Sequence, residues 1–125
     1  MRILLDTHIF YRWFYEPVRL SRAALETIKN ADEVFVSSAS IWEIAIKARL
    51  GKINANPREL FDQIAVNDFQ ELPVFSRHAV LVADLPLYHS DPFDRLLIAQ
   101  AISEPLHLVT VDPQLKQYSE LVIQV

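Results

Sequence analysis

No cysteine occurs among the 125 residues, which excludes disulfides, thiol nucleophiles and thiolate metal sites. Glycine occurs once, at Gly51, so no glycine-rich loop can cradle a phosphate, and NTP or dinucleotide use is not expected. No apolar stretch reaches the ~20 residues that span a bilayer. The opening Met1-Arg2-Ile3-Leu4-Leu5 is interrupted by Asp6, too early for the apolar core of a signal peptide. An excess of positive charge is missing as well: 12 Lys+Arg against 16 Asp+Glu leave a net charge of −4. One cytoplasmic domain over residues 1–125, large enough to bury a substantial core, is the simplest expectation.

The charge is unevenly distributed. Residues 1–60 carry 9 Lys+Arg and 7 Asp+Glu, a net of +2, whereas residues 61–125 carry 3 and 9, a net of −6. A nucleic-acid role would therefore depend on a local basic face from Arg12, Arg19, Arg22, Lys47, Arg49 and Lys52, with metal offsetting the acids. Scattered solvated charge is the plainer alternative.

Patterning alternates between short apolar runs and helical segments. Arg2 to Asp6, Val34-Phe35-Val36, Leu106 to Val111 and Leu121 to Val125 read as strands. Phe69 to Val74 looks extended, and Pro73 argues that it lies at an edge. Helices are expected from His8 to Tyr15, after Ser21, over Ile41 to Leu50, from Pro57 to about Val66, over Ser76 to Asp84 and from Asp91-Pro92 through Ile102. Pro113 to Tyr118 should form a helical turn. Gly51 follows the last apolar residue of the Ile41 helix, where a left-handed cap is wanted. Strands alternating with helices predict an α/β fold, a parallel sheet covered on both faces.

Four carboxylates fall where apolar segments meet loops or helix starts. Asp6 ends Ile3-Leu4-Leu5, Asp112 ends Leu108-Val109-Thr110-Val111, and Glu43 and Asp94 lie a few residues into helices. At the carboxyl edge of one sheet such acids repel by roughly 4 kcal/mol per pair at 4 Å and an effective dielectric near 20. A hard divalent cation is the natural partner for oxygen-only ligands. Each acid also has a local alternative. Asp91-Pro92-x-Asp94 places a cap before proline with an acid at the third helical position, and Asp91 is better read as that cap. Asp112-Pro113 is a second cap, and Glu43 with Lys47 is a favourable i,i+4 pair.

Leu4-Leu5-Asp6-Thr7-His8, Ser37 through Lys47 with Gly51-Lys52, His89 through Ala101 and Thr110-Val111-Asp112 together resemble PIN-domain proteins, close to the toxin ribonucleases of VapBC-type toxin–antitoxin pairs. The Asp91-Pro92-Phe93-Asp94-Arg95-Leu96-Leu97-Ile98-Ala99-Gln100 run is the specific part of that resemblance, which spans nearly the whole chain. It implies a Rossmann-like sheet in the order 3-2-1-4-5, with Asp6, Glu43, Asp94 and Asp112 lining one pocket. It further implies Mg²⁺- or Mn²⁺-dependent cleavage of RNA and neutralisation by a small antitoxin. A homodimer is expected, as is contact with operator DNA only through the antitoxin.

On that resemblance Asp6 is the central ligand, Asp94 a second direct ligand, Glu43 a ligand or orienter of water, and Asp112 the completion of a second-ion site. Thr7, Ser37 and Thr110 are candidates for supporting those ligands, with ordinary strand-end hydrogen bonding as the alternative. Lys47 and Arg95 either touch RNA phosphate or pair with neighbouring acids. His8 reads as a structural ring near the pocket, and His78, His89 and His107 as incidental. Trp42, Trp13 and Phe14 are expected in the core or at an interface. Asp6-Thr7-His8 lacks the second acid that a receiver or an aspartyl phosphatase would want. The remaining rival is an inert PIN-like scaffold that binds RNA or protein without cutting.

Overall fold

Strands β1 (Arg2–Leu5), β2 (Glu33–Ser37), β3 (Gln70–Leu72), β4 (His107–Thr110) and β5 (Val122–Gln124) form one sheet in the computed structural model, which describes residues 1–125. Their order is β3-β2-β1-β4-β5 and every pairing is parallel, as the resemblance implied. Helices α1 (Thr7–Tyr15), α2 (Arg22–Asn30), α3 (Ser38–Arg49), α4 (Pro57–Val66), α5 (Ser76–Val82) and α6 (Pro92–Ser103) connect them, with 3-10 turns at Pro17–Arg19 and Pro113–Tyr118. No helix is long and apolar enough to cross a membrane.

The strands are apolar without alternation because both faces are covered. Ile3, Leu5, Val34, Val36 and Val109 face a core built with Ile9 and Phe10 of α1, Ala24 and Ile28 of α2, Ile44 of α3, and Leu60 and Ile64 of α4. Their neighbours Leu4, Phe35 and Leu108 point the other way, onto Leu97, Ile98 and Ala101 of α6 with Leu106 and Leu115. Each fully buried aliphatic side chain contributes roughly 1.5–3 kcal/mol, so the two-sided core holds the register that brings the strand ends level. β3 is an edge strand, where Pro73 immediately after it removes no ladder hydrogen bond.

Element ends are set by caps. β1 stops at Leu5 rather than Asp6, because Asp6 is the N-cap of α1 and its Oδ1 accepts from the Ile9 amide at 2.9 Å. α3 starts at Ser38, three residues before Ile41, because Ser37 Oγ accepts from the Ala39 amide. Gly51, at φ 73°, closes α3: its amide bonds to Ala48 O and that of Lys52 to Lys47 O, the two bonds of a Schellman turn.

Candidate active site

The register places the ends of three strands side by side. Leu5 pairs with Val36 on one side and Val109 on the other, so the next residues, Ser37, Asp6 and Thr110, form a row across the carboxyl edge. This is the edge where open parallel sheets place their sites. Asp6 is 2% exposed. Its Oδ1 caps α1, and its Oδ2 accepts from Thr110 Oγ1 at 2.5 Å. Thr110 Oγ1 in turn accepts the Asp112 amide at 3.1 Å, which ties the loop after β4 to Asp6. Burial raises the pKa of Asp6; the Thr110 and Ile9 hydrogen bonds and His8 oppose that rise, and the charge of Glu43 adds to it.

Glu43 is delivered by α3 and is 3% exposed. Its Oε2 accepts from Lys47 Nζ at 2.6 Å, whereas its Oε1 is buried without any hydrogen-bond partner. A buried carboxylate oxygen left unpaired is costly. Thr7 Oγ1 donates to Ser40 Oγ at 2.9 Å and fastens the start of α1, next to Asp6, to α3.

Asp94 lies in the first turn of α6. Its pKa is pushed up to about 7, first by burial and then by the charges of Asp91, Asp6 and Glu43, with His89 pulling the other way. Three acids from different elements therefore act on one carboxyl group, which is the electrostatic signature of a cluster. Asp91 caps α6 through bonds from the Phe93 and Asp94 amides, at 2.8 and 3.1 Å.

Asp112 caps the Pro113 turn through Oδ1 and faces His89 through Oδ2, with His89 Nε2 at 2.9 Å. The same Nε2 lies 3.5 Å from Asp94 Oδ2. Donor atoms of His89, Asp94 and Asp112 all fall within 4.8 Å of one another. His89, read from the sequence as incidental, thus stands inside the site. Its tautomer is constrained: Nδ1 accepts from the Asp91 amide at 3.0 Å, so the ring proton sits on Nε2 and is donated to Asp112 Oδ2, with Asp94 alongside. In this arrangement His89 is a donor to Asp112 beside Asp94.

Arg95 differs from both readings offered by the sequence. Its guanidinium donates to the carbonyls of Pro86, Val82, Leu85 and His89 and to Tyr118 Oη, pinning the segment that carries His89. It pairs with no acid. Ser37 serves as a helix cap, Lys47 as the partner of Glu43, and His8 is exposed. His78 is buried between Phe75 and Glu104, away from the acids. Trp42 is not a core residue: it is 61% exposed, edge-on to Phe93.

The donor set suits a hard divalent ion. Asp6, Glu43, Asp94 and Asp112 offer only carboxylate oxygens, Glu43 Oε1 lacks a partner, and burial together with the neighbouring acids raises the pKa of Asp94. Asp6 and Glu43 stand outside the tightest group, their charges reaching Asp94 from the N-cap of α1 and from α3.

The PIN domain family model matches residues 3–121. Ribonuclease VapC22 of Mycobacterium tuberculosis is 36% identical over 118 residues, which cover 93% of this chain and 91% of that protein. Among solved structures, VapBC2 from Rickettsia felis bound to a DNA fragment from their promoter aligns with a TM-score of 0.69 and 19% identity, over 100% of this chain and 98% of that one. A toxin–antitoxin complex from Klebsiella pneumoniae aligns at 0.64 and 17% identity, over 98% and 96%. Those two identities speak to the fold alone. Sheet order, the row of residues at its carboxyl edge and a match over almost every residue concur: the chain belongs to the PIN-domain family.

Proposed function

We propose that this chain, as one domain over residues 1–125, is a cytoplasmic endoribonuclease that acts as the toxin of a toxin–antitoxin pair, hydrolysing RNA phosphodiester bonds with Mg²⁺ or Mn²⁺. The observation that carries the reading is the convergence on Asp94 of Asp6 and Glu43, with Glu43 Oε1 buried and unpartnered. The relationship to Ribonuclease VapC22 supports the choice of RNA, and the toxin–antitoxin structures support a small antitoxin as partner. A homodimer, and operator DNA reached only through the antitoxin, complete the proposal.

Asp6, Asp94, Glu43 and Asp112 would hold the ion. An ion held there would supply Lewis-acid polarisation of the phosphate and offset the repulsion among the acids. The chain's own groups do the rest. Thr110 and the Ile9 amide fix both oxygens of Asp6 in one orientation. Lys47 leaves Glu43 with one oxygen free, placed either to bind or to orient water. His89 sets the direction of Asp112 and limits the repulsion that Asp94 feels. Burial of Asp6 and Glu43 keeps bulk water from screening them.

A second reading has one observation in its favour: Asp6, Asp91 and Asp112 are all satisfied within the protein, as caps and hydrogen-bond acceptors, which is compatible with an inert RNA- or protein-binding scaffold. The deciding experiment is cleavage of a panel of structured and single-stranded RNAs with Mg²⁺, Mn²⁺ or EDTA, comparing wild type with Asp6→Ala and Asp94→Ala. The nuclease reading expects metal-dependent cutting that both variants lose. RNA binding without turnover under every metal would establish the scaffold instead.

A further inference from the structure

We infer that the cavity between α1, α3 and the loop after Gly51 is a subsite for the nucleotide next to the scissile bond of a single-stranded RNA. The inference rests on the nuclease reading and extends it from the acids to the strand that must approach them.

The cavity has a volume of about 430 Å³, within the range of small-ligand sites and of a size for one nucleotide unit. It shares a wall with the acids: Thr7 follows Asp6 directly, and Lys47 is bonded to Glu43. Four of the chain's 12 Lys+Arg, namely Arg12, Arg19, Lys47 and Lys52, line it, against a single acid, Glu16. Pairing divides the four. Arg19 is neutralised by Glu16 at 3.2 Å and Lys47 by Glu43 at 2.6 Å. Arg12 and Lys52 form no ion pair, so two positive charges on opposite walls stand without a counter-charge.

The walls are built before any ligand arrives. The Schellman turn at Gly51 fixes the backbone of Lys52 against Lys47 O at 2.9 Å. Tyr11 Oη donates to Asn54 O at 3.3 Å, and Tyr15 Oη accepts the Asn56 amide at 2.8 Å, stapling the loop to α1. Preorganisation of this kind lowers the ordering cost of binding.

The chemistry selects a polyanion tethered at several points. A free small anion would meet the field of the neighbouring acids and a net charge of −4. A strand whose adjacent phosphates engage Arg12 and Lys52 while another is presented to the acids gains where a lone anion does not. A volume of about 430 Å³ takes one nucleotide unit, which a single strand can lay into it.

The test is binding in EDTA, by fluorescence anisotropy, of a labelled single-stranded oligoribonucleotide to the full chain. Arg12→Gln and Lys52→Gln, which keep the aliphatic stems, should each weaken binding several-fold and together about tenfold, and each should reduce the slope of log affinity against log salt by about 0.7. Lys29→Gln removes an exposed cation on α2, remote from the cavity, and controls for net charge. Losses no greater than that control's, or variants that keep RNA but lose binding of a poly-glutamate peptide, overturn the subsite. Wild type that cuts RNA while both variants bind as it does overturns the subsite and leaves the nuclease reading intact. Wild type that neither binds nor cuts any RNA overturns both.

Discussion

His89 Nε2 stands 2.9 Å from Asp112 Oδ2, to which it donates, and 3.5 Å from Asp94 Oδ2, so one ring faces carboxylates from two different elements. The other ring nitrogen accepts the Asp91 amide, so the tautomer follows from the backbone. Nitrogen NMR of the metal-free protein should give a protonated, pyrrole-like Nε2 and a pyridine-like Nδ1. Adding Mg²⁺ should leave that pattern in place. A pyridine-like Nε2 in the loaded protein would make His89 a ligand and refute the donor role. His89→Ala should cost about 1 kcal/mol by removing the donor to part-buried Asp112, read by urea unfolding.

Asp94 gives the free protein a signed pH dependence. Its native pKa of about 7 lies above the ordinary 3.8, so between those values the native state binds more protons than the unfolded chain. Stability in EDTA therefore falls as pH rises from about 4 to 7. Asp94→Asn should flatten that slope and stabilise the metal-free protein at pH 7.5 by roughly 2 kcal/mol, after discounting for partial solvation of the group. Saturating Mn²⁺ should stabilise wild type, by about 2.7 kcal/mol at a hundredfold excess over Kd, and Asp94→Asn much less. A variant no more stable than wild type in EDTA would contradict the mutual repulsion.

Glu104 carries the opposite sign. His78 Nε2 at 2.7 Å, and then Arg77, hold its carboxyl below the usual glutamate range. The resulting stability is present above the unfolded pKa of about 4.5 and is lost as pH falls through the native value. Glu104→Gln should lower the melting temperature at pH 7 and narrow the gap to wild type in strong acid. Equal losses at both pH values would place the effect in packing rather than charge.

Gly51→Ala isolates backbone strain, because a Cβ there would meet no atom within 4 Å while φ stays at 73°. The expected cost is about 1 kcal/mol in thermal or urea unfolding. A neutral substitution would mean that the Schellman turn can be rebuilt without the left-handed residue.

The α/β class and the helix limits are legible because caps and two-sided strands leave local marks, whereas the sheet order follows only from the resemblance to PIN-domain proteins. Pro57 opens α4 and Val66 ends it, as the spacing predicts, and Ile3-Leu4-Leu5 is apolar throughout because alternate residues enter different cores. The part played by His89 was hidden because it depends on a loop whose shape is set elsewhere. Tyr118 Oη accepts its amide, and Arg95 gathers carbonyls between Val82 and His89. Arg95 was misread for the same reason: an arginine within an acidic motif looks like a charge partner until the carbonyls it collects are in place. Trp42 gave no signal of its exposure, since the weak amphipathicity of α3 does not mark which side faces outward.

One carboxylate, Asp6, is both the cap of α1 and the residue at the centre of the edge. Both of its oxygens already accept hydrogen bonds, from Ile9 and Thr110, so an ion must use the remaining lone pairs. Replacing Asp6 by alanine removes a helix start, worth about 1 kcal/mol, together with a ligand, while relieving repulsion from Glu43. Asp6→Ala therefore removes architecture along with chemistry and must be shown folded, whereas Asp6→Asn keeps a cap acceptor for Ile9 while removing the charge. Glu43→Gln, which leaves every cap intact, is the cleaner way to make a folded and silent protein for capturing its partners.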